Sequence, residues 1–218
     1  MQTDLFQPDL YQPDRRILRL AEGAVLLGGF AIAVELPLLA AVAAVVAAAP
    51  FRQMLTPGGQ RMSVAMTNCG DAGWVSDRKG YRYDRIDVAI GAPWPAMPPV
   101  FADLAARAAA AAGFAGFVAD ACLINCYAPG ARLSLHQDRN ERDFTAPIVS
   151  VSLGLPAVFL WGGEKRSDRA RRVPLVHGDV VVWGGPARMT FHGILPLADG
   201  DNPLTGRRRF NLTLRAAL

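Results

Sequence analysis

The stretch LINCYAPGARLSLHQD, residues 123–138, joins two short β-type runs through a Pro-Gly turn and ends in an HxD motif at His136 and Asp138. This pattern predicts two β-strands connected by a turn. In a strand, residues i and i+2 point to the same face. His136 and Asp138 can therefore converge on one ion, while Leu133 and Leu135 are expected to point into the opposite layer.

Similar runs continue to the end of the sequence. From about residue 120 they are ACLINCY, ARLSLHQD, PIVSVSLG, AVFLWGG, DVVVWGG, MTFHG and RFNLTLR, separated by Gly and Pro. Short strands at this spacing predict an antiparallel barrel or jelly roll. Two Ala-rich patterns, roughly residues 33–48 and 99–112, predict helices, the second ended by Gly113. The expected fold class is α+β, a double-stranded β-helix (jelly roll) core with flanking N-terminal helices.

Residues 51–98, between the two helices, differ in composition. They are rich in Gly, Pro, Met, Trp and Tyr, carry several arginines and lack sustained periodicity. Long loops of this kind often bind ligands, although an irregular connection has the same composition. We expect a single domain, 1–218, with an N-terminal segment and helix (1–50), a hairpin-and-loop lid (51–98) and a jelly-roll catalytic core (120–218).

Charge gives a weak indication of the partner. The formal net charge is +4 and the pI is near 9.3. This suits a polyanionic partner, but an ordinary basic enzyme explains it equally well.

The cysteines and the N-terminus bear on the compartment. Cys69, Cys122 and Cys126 cannot all pair within one chain, and a strand would hold the last two roughly 13 Å apart. No secretory signal pattern precedes the apolar stretch 31–50, which is interrupted by Glu35 and Pro37 and is too short for a membrane span. We expect a cytoplasmic protein, and a monomer because no oligomerisation stripe is visible.

The chain has three histidines, and two of them begin an HxD motif. Between two polar residues and before the run VVVW, Gly178 predicts that His177 and Asp179 belong to a tight turn. His192 lies far enough beyond Asp138 to sit on a neighbouring strand. Two imidazoles and one carboxylate can occupy one face of an octahedral ferrous ion and leave three positions open.

The C-terminal run RRRFNLTLR, residues 207–215, supplies a second set of polar side chains. Alternation places Arg209, Asn211, Thr213 and Arg215 on one face. The two arginines are about 20 Å apart along the backbone, and long side chains leaning inward could grip both ends of a short dicarboxylate. A basic surface strand is the alternative.

Together these motifs resemble a known family. The runs FRQMLTPGG, MSVAMTNCG, APWPAMPP, LINCYAPGARLSLHQD, APIVSVSLGLPA, HGDVVVWGG and RFNLTLR are similar to those of the bacterial AlkB proteins, iron(II)- and 2-oxoglutarate-dependent nucleic-acid demethylases. The similarity extends from Phe51 to Arg215, and residues 1–50 match only loosely.

The resemblance implies a role for each matching position. The implied iron ligands and catalytic residues are His136, Asp138 and His192. The implied cosubstrate-binding residues are Asn125, Tyr127, Arg209, Asn211 and Arg215, with the two arginines at opposite carboxylate ends. The flipped base would stack between Trp74 and His136, and the other implied substrate-binding residues are Thr56, Tyr81, Ser134, Asn140 and Arg166.

The implied reaction is oxidative demethylation of 1-methyladenine and 3-methylcytosine in single-stranded DNA, with RNA as a second candidate. It uses iron(II), 2-oxoglutarate and O2 and releases formaldehyde, succinate and CO2. Two positions depart from the family pattern. Asn140 stands where an acidic residue is frequent, which leaves the lesion preference open, and Cys126 stands where a basic residue is expected.

Two other functions fit parts of the pattern. An oxygenase of the same chemistry could act on a small molecule or a protein side chain, although Trp74 and Tyr81 suit a nucleic acid better. A catalytically silent β-sandwich could bind nucleic acid and hold a structural zinc, but such zinc sites normally have four N or S ligands.

Overall fold

Two antiparallel sheets make up the framework of the computed structural model, which describes residues 16–218. In chain order its elements are β1 (Ile17–Ala21), β2 (Ala24–Leu27), α1 (Glu35–Ala48), β3 (Ala65–Gly70), β4 (Gly73–Asp77), β5 (Gly80–Asp84), β6 (Ile86–Asp87), β7 (Ala92–Pro93), α2 (Pro99–Ala111), β8 (Ala121–Tyr127), β9 (Leu133–His136), β10 (Ile148–Gly154), β11 (Ala157–Trp161), β12 (Arg171–Leu175), β13 (Val180–Trp183), β14 (His192–Ile194) and β15 (Arg209–Arg215). The large sheet has the order β1-β2-β13-β10-β15-β8-β3, and the small sheet has the order β12-β11-β14-β9.

Each face of the large sheet packs against a different layer. One face meets α1 and α2, where Leu38 and Phe101 pack with Val149 and Leu212. The other face meets the small sheet in a second apolar cluster that includes Trp183 from the large sheet and, from the small sheet, Phe159, Val173 and Ile194. Helices packed against a two-sheet jelly roll confirm the expected fold class.

Strict alternation in two central strands separates these layers. In β10, Val149 and Val151 belong to the helix-side cluster, while Ser150 lines the space between the sheets. In β15, Leu212 and Leu214 face the helices, as the sequence predicts. The polar residues between them therefore face the interior of the jelly roll.

A bulge in β9 changes the expected alternation. His136 pairs with His192, but Leu133 pairs with Ile194, so four residues of β9 lie opposite three of β14. Leu133 consequently packs in the cluster between the sheets, on the same side as His136. The prediction that it points to the opposite layer was wrong, because a bulge shifts the two-residue period. Asp138 lies just beyond the end of β9.

Four strands of the two main sheets lie in segments where the sequence predicted none. The β1–β2 hairpin extends the large sheet through the pairing of β2 with β13, although it belongs to the predicted N-terminal segment. Inside the predicted lid, β3 pairs with β8 and is part of the large sheet. At the edge of the small sheet, β12 contains Pro174, which an edge strand tolerates.

The second HxD motif forms the expected turn. Gly178 has φ 84°, a left-handed conformation that favours glycine. His177 accepts the backbone N–H of Gly154 at Nδ1 and donates through Nε2 to Glu35 over 2.9 Å. These contacts tie the start of α1 to the large sheet. Within residues 16–218, neither α1 nor α2 has the length and apolar character needed to cross a membrane.

Gly154 tests how tightly the end of β10 is packed. It has φ 91°, and a Cβ there would clash with the backbone oxygen of Arg208. We expect Gly154→Ala to lower the free energy of unfolding by about 2–4 kcal/mol, measured by urea denaturation, because left-handed strain and overpacking add. Gly116→Ala, with φ 79° and open space around it, is the control and should cost only about 1 kcal/mol. Equal losses would contradict the packing argument.

Candidate active site

A cavity of about 640 Å³ lies between the two sheets and opens beside the β4–β5 hairpin. It brings together all fourteen residues that the sequence analysis proposed for a site. The lining includes Thr56, Trp74, Tyr81, Asn125, Tyr127, Ser134, His136, Asp138, Asn140, Arg166, His192, Arg209, Asn211 and Arg215.

Three side chains at the inner end could hold a metal ion. His136 on β9 and His192 on β14 are direct neighbours across the small sheet. The Nε2 atoms of the two rings lie 3.7 and 3.8 Å from the carboxylate of Asp138. One donor atom from each of the three residues lies within 4.8 Å of the other two. This is the donor set of a ferrous site with open positions.

Both histidines are held in the tautomer that a metal ligand needs. Nδ1 of His136 lies 2.9 Å from the carbonyl oxygen of Ser134, and Nδ1 of His192 lies 3.0 Å from that of Thr190. A carbonyl can only accept, so each Nδ1 carries the proton and donates. The Nε2 lone pairs are left to face the cavity and Asp138.

The protonation states also suit a cation. Burial, together with the neighbouring His136, lowers the pKa of His192 to about 4, so the ring is neutral at pH 7. Burial alone would raise the pKa of Asp138, but Arg215 and the two histidines outweigh it and hold that pKa well below its usual range. Neutral imidazoles and an ionised carboxylate are the forms that bind metal.

Arg209, Ser152 and Tyr127 form a second group of polar side chains, separate from the three possible metal ligands and here called the cradle. Its side chain is 1% exposed, and it donates from Nη2 to Ser152 Oγ over 3.0 Å. Within residues 16–218, its Nε and Nη1 and the hydroxyl of Tyr127 have no hydrogen-bond partner. Burial raises the pKa of Tyr127 to about 12, so the hydroxyl keeps its proton. Buried N–H and O–H groups left unsatisfied are costly, and a carboxylate beside Tyr127 could accept from its hydroxyl and from the Arg209 guanidinium.

A row of amides connects the cradle to the rest of the cavity wall. Asn211 donates to Ser150 Oγ over 2.8 Å and accepts from Asn125 over 3.3 Å. The Oδ1 atom of Asn125 has no donor within residues 16–218. The row is thus fixed by β10 and β15 and contains one buried acceptor that is not used.

The geometry agrees with the comparisons. A model of the 2OG-Fe(II) oxygenase superfamily matches residues 23–215. The alpha-ketoglutarate-dependent dioxygenase AlkB of Salmonella typhimurium is 58% identical over 198 residues, which cover 91% of this chain and 92% of that protein. The chain belongs to the AlkB family.

Two further comparisons extend this result. The tRNA demethylase abh1 of Schizosaccharomyces pombe is 30% identical over 142 residues, covering 63% of this chain and 47% of that protein. The solved structure of OsALKBH1 matches with a TM-score of 0.80 and 28% identity, covering 92% of this chain and 99% of that one. This AlkB-family protein is an iron(II)- and 2-oxoglutarate-dependent dioxygenase whose cofactors are iron(II), 2-oxoglutarate and O2.

In this AlkB-family chain the guanidinium of Arg215 already lies against two carboxylates of the protein. Its Nη2 donates to Asp138 Oδ2 over 2.7 Å, and its Nε lies 3.3 Å from Glu141 Oε1. Of the two arginines, Arg209 has more nitrogen atoms without a hydrogen-bond partner within residues 16–218, Nε and Nη1 against Nε alone for Arg215, while Arg215 orients a carboxylate of the proposed metal set. The sequence predicts that both arginines grip the dicarboxylate.

A buried network that was not predicted from the sequence lies beneath Asp138. Glu141 accepts from Tyr83 over 2.7 Å and from Arg188 over 3.0 Å. Arg188 also donates to the backbone oxygen of Asp138 over 2.7 Å. A lone arginine four residues before His192, in an otherwise apolar and small-residue run, was the available signal. Ser150 and Ser152, two residues apart in an apolar strand, were another.

The outer part of the cavity is aromatic. Trp74 on β4 and Tyr81 on β5 stack with ring centres 5.6 Å apart and planes 15° apart. Asn140 accepts from the indole N–H of Trp74 over 3.1 Å and donates to the backbone oxygen of Tyr81. Asn140 therefore connects the β4–β5 hairpin to the segment that carries Asp138.

Substituting the histidine of each HxD motif should affect iron(II) binding very differently. We expect His136→Ala to weaken iron(II) binding by more than about a hundredfold, because loss of an outer-shell partner alone can cost 10–100-fold. His177→Ala should leave iron affinity unchanged, since His177 contacts Gly154 and Glu35. Anaerobic calorimetry measures both. Equal affinities in the two variants would rule out the assigned metal set.

Arg209→Lys tests the cradle. Lysine keeps the charge but loses the fork, so we expect 2-oxoglutarate to bind about 2 kcal/mol more weakly, roughly thirtyfold, in anaerobic calorimetry. Arg207→Lys is the matched control, because Arg207 forms an exposed ion pair with Asp199. A cosubstrate affinity that is the same in both variants would show that Arg209 does not bind it.

Proposed function

We propose that this dioxygenase removes methyl groups from alkylated bases in single-stranded nucleic acid. The expected substrate is DNA carrying 1-methyladenine or 3-methylcytosine, with RNA as a second substrate. The observation that carries the proposal is that an iron-type donor set and an aromatic pair share one cavity.

The charge at the cavity mouth favours a polyanion. Arg61, Arg132, Arg139 and Arg166 line the cavity and are exposed. Within residues 16–218, none of them lies within 4.0 Å of a carboxylate. Among the described residues that line the cavity, only Asp138 is acidic, and it is paired with Arg215. Such a rim suits phosphates, and the printed name of the fission-yeast relative, a tRNA demethylase, also supports a nucleic acid.

The geometry supports a separate role for each group of residues in the cavity. His136, Asp138 and His192 hold iron(II), and Arg209 and Tyr127 hold one carboxylate of 2-oxoglutarate. When bound, iron(II) with 2-oxoglutarate and O2 supplies the oxidising power that hydroxylates the N-methyl group. The hydroxymethyl base then loses formaldehyde, and the cosubstrate becomes succinate and CO2. Arg215 keeps Asp138 ionised and oriented throughout.

The outer residues would position the base. Trp74, held by Asn140, offers a flat apolar face in the cavity that His136 also lines, and Thr56, Tyr81, Ser134 and Arg166 are further lining residues. Stacking is tolerant of sequence, which suits an enzyme that acts on damage in any context. Because Asn140 is a neutral amide, this position brings no negative charge to a cationic base, and its oxygen already accepts from Trp74.

We also propose that the protein works as a monomer in the cytoplasm. All three cysteines are free thiols, the state that a reducing compartment maintains. Cys69 and Cys122 are buried directly opposite each other on β3 and β8 and are nevertheless unlinked.

The decisive experiment is formaldehyde release from single-stranded oligonucleotides bearing 1-methyladenine or 3-methylcytosine. We expect release to require iron(II), 2-oxoglutarate and O2, each omitted in turn, and to disappear in His136→Ala. The ratio of the two rates ranks the lesions. Succinate formation without loss of the base methyl would mean that the enzyme acts on another substrate class, such as a small molecule or a protein side chain.

A further inference from the structure

A short basic loop adjoins the cavity and is not explained by the chemistry inside it. Residues 164–172, here called the basic loop, connect β11 to β12 and include the start of β12. They contain five basic and two acidic side chains, a net charge of +3 against +4 for the whole chain. The basic residues are Lys165, Arg166, Arg169, Arg171 and Arg172, and all five are exposed.

The chain itself does not neutralise this charge. Within residues 16–218, none of the five basic side chains lies within 4.0 Å of a carboxylate. Asp168 instead accepts the backbone N–H of Lys165 over 2.9 Å and so shapes the loop. Like charges on one short loop repel one another, since the Debye length is about 10 Å at 0.1 M salt. A bound polyanion would remove that repulsion.

Protection of the sheet edge explains only part of the pattern. β12 is the edge strand of the small sheet, and charged side chains on an edge discourage pairing with other chains. Either sign of charge serves that purpose. The excess of arginine over acidic residues therefore needs a second reason.

The basic loop is continuous with the cavity mouth. Arg166 lines the cavity. From there the chain leads to Arg171 and Arg172, which pair with Trp161 and Leu160 of β11. Positive charge therefore extends from the rim, across the loop and onto the sheet edge, away from the space that one nucleotide can fill.

We propose that the basic loop binds the phosphates of the single strand that flanks the nucleotide in the cavity. The inference rests on the proposed function and adds a property to it. Affinity should rise with strand length beyond the few nucleotides that the cavity contacts, and this rise should depend on Arg169, Arg171 and Arg172. Arg166 belongs to the cavity and is left unchanged in the test.

The test compares two triple variants with equal charge loss. The loop variant is Arg169→Gln/Arg171→Gln/Arg172→Gln, and the control is Arg16→Gln/Arg19→Gln/Arg107→Gln, whose positions lie outside the cavity lining. Fluorescence anisotropy gives the Kd for methylated single strands, a trinucleotide and an oligonucleotide of about fifteen residues, over a range of salt. The protein is loaded with iron(II) and 2-oxoglutarate without O2, and melting curves verify the fold.

We expect wild type to bind the longer strand more tightly than the trinucleotide, by about tenfold or more at 0.1 M salt. The loop variant should lose most of this advantage, and its slope of log Kd against log salt should fall by about 2, because each phosphate contributes about 0.7 for single strands. Trinucleotide affinity should stay within about twofold of wild type, since no phosphate contact is lost there. The control should keep the wild-type length dependence.

Several results would overturn the inference. Equal losses in loop variant and control would indicate a general charge effect, and equal losses on both strand lengths would place the arginines in cavity binding. A defect confined to duplex oligonucleotides would exclude the single-strand assignment. Formaldehyde release from the trinucleotide, measured in parallel, separates the two proposals. If formaldehyde is released but affinity does not depend on strand length, the proposed function stands and this inference is refuted. If formaldehyde is not released and affinity does not depend on strand length, both proposals are refuted.

Discussion

The buried ion pair between Asp138 and Arg215 connects the two sheets at the site. Asp138 follows β9 of the small sheet, and Arg215 ends β15 of the large sheet, with 2.7 Å between their charged atoms. Both side chains are less than a tenth exposed. Breaking such a pair by removing one partner typically costs about 3–5 kcal/mol, because the other charge stays buried alone. Glu141 and Arg188, the second buried pair, hold this one in place from below.

After these two buried pairs are formed, the positive charge of Arg209 is left for a ligand to balance. Two carboxylates and two guanidinium groups cancel beneath the histidines, while Arg209 stays buried in the cradle with two nitrogen atoms unpartnered within residues 16–218. A divalent cation beside Asp138 and a dianionic cosubstrate reaching Arg209 cancel each other's charge, so the pair can be buried together without changing the net charge of the cavity. The chain is thus preorganised for the two ligands together, since each supplies the charge that the other requires.

The side chains that line the site could be predicted from the sequence more completely than the buried contacts and strand pairings that hold them in place. The two-residue period of RFNLTLR placed Arg209 and Arg215 on the inner face, and the HxD spacing placed His136 and Asp138 together. The bulge at Leu133 could not be predicted, because it depends on how β9 meets β14. Pairings between distant segments, such as Glu141 with Arg188 or β3 with β8, leave no local periodic signal. β12 could not be predicted because Pro174 and the neighbouring arginines are not typical of a strand sequence.

The central claim is that one cavity holds the metal, the cosubstrate and a methylated base together. A crystal structure with manganese(II), 2-oxoglutarate and a methylated single-stranded trinucleotide, without O2, tests it directly. The account predicts an anomalous peak bound by Nε2 of His136 and His192 and by Asp138, a cosubstrate carboxylate on Arg209, and the base stacked on Trp74. A metal bound elsewhere, or a base outside the cavity with the metal in place, would contradict it.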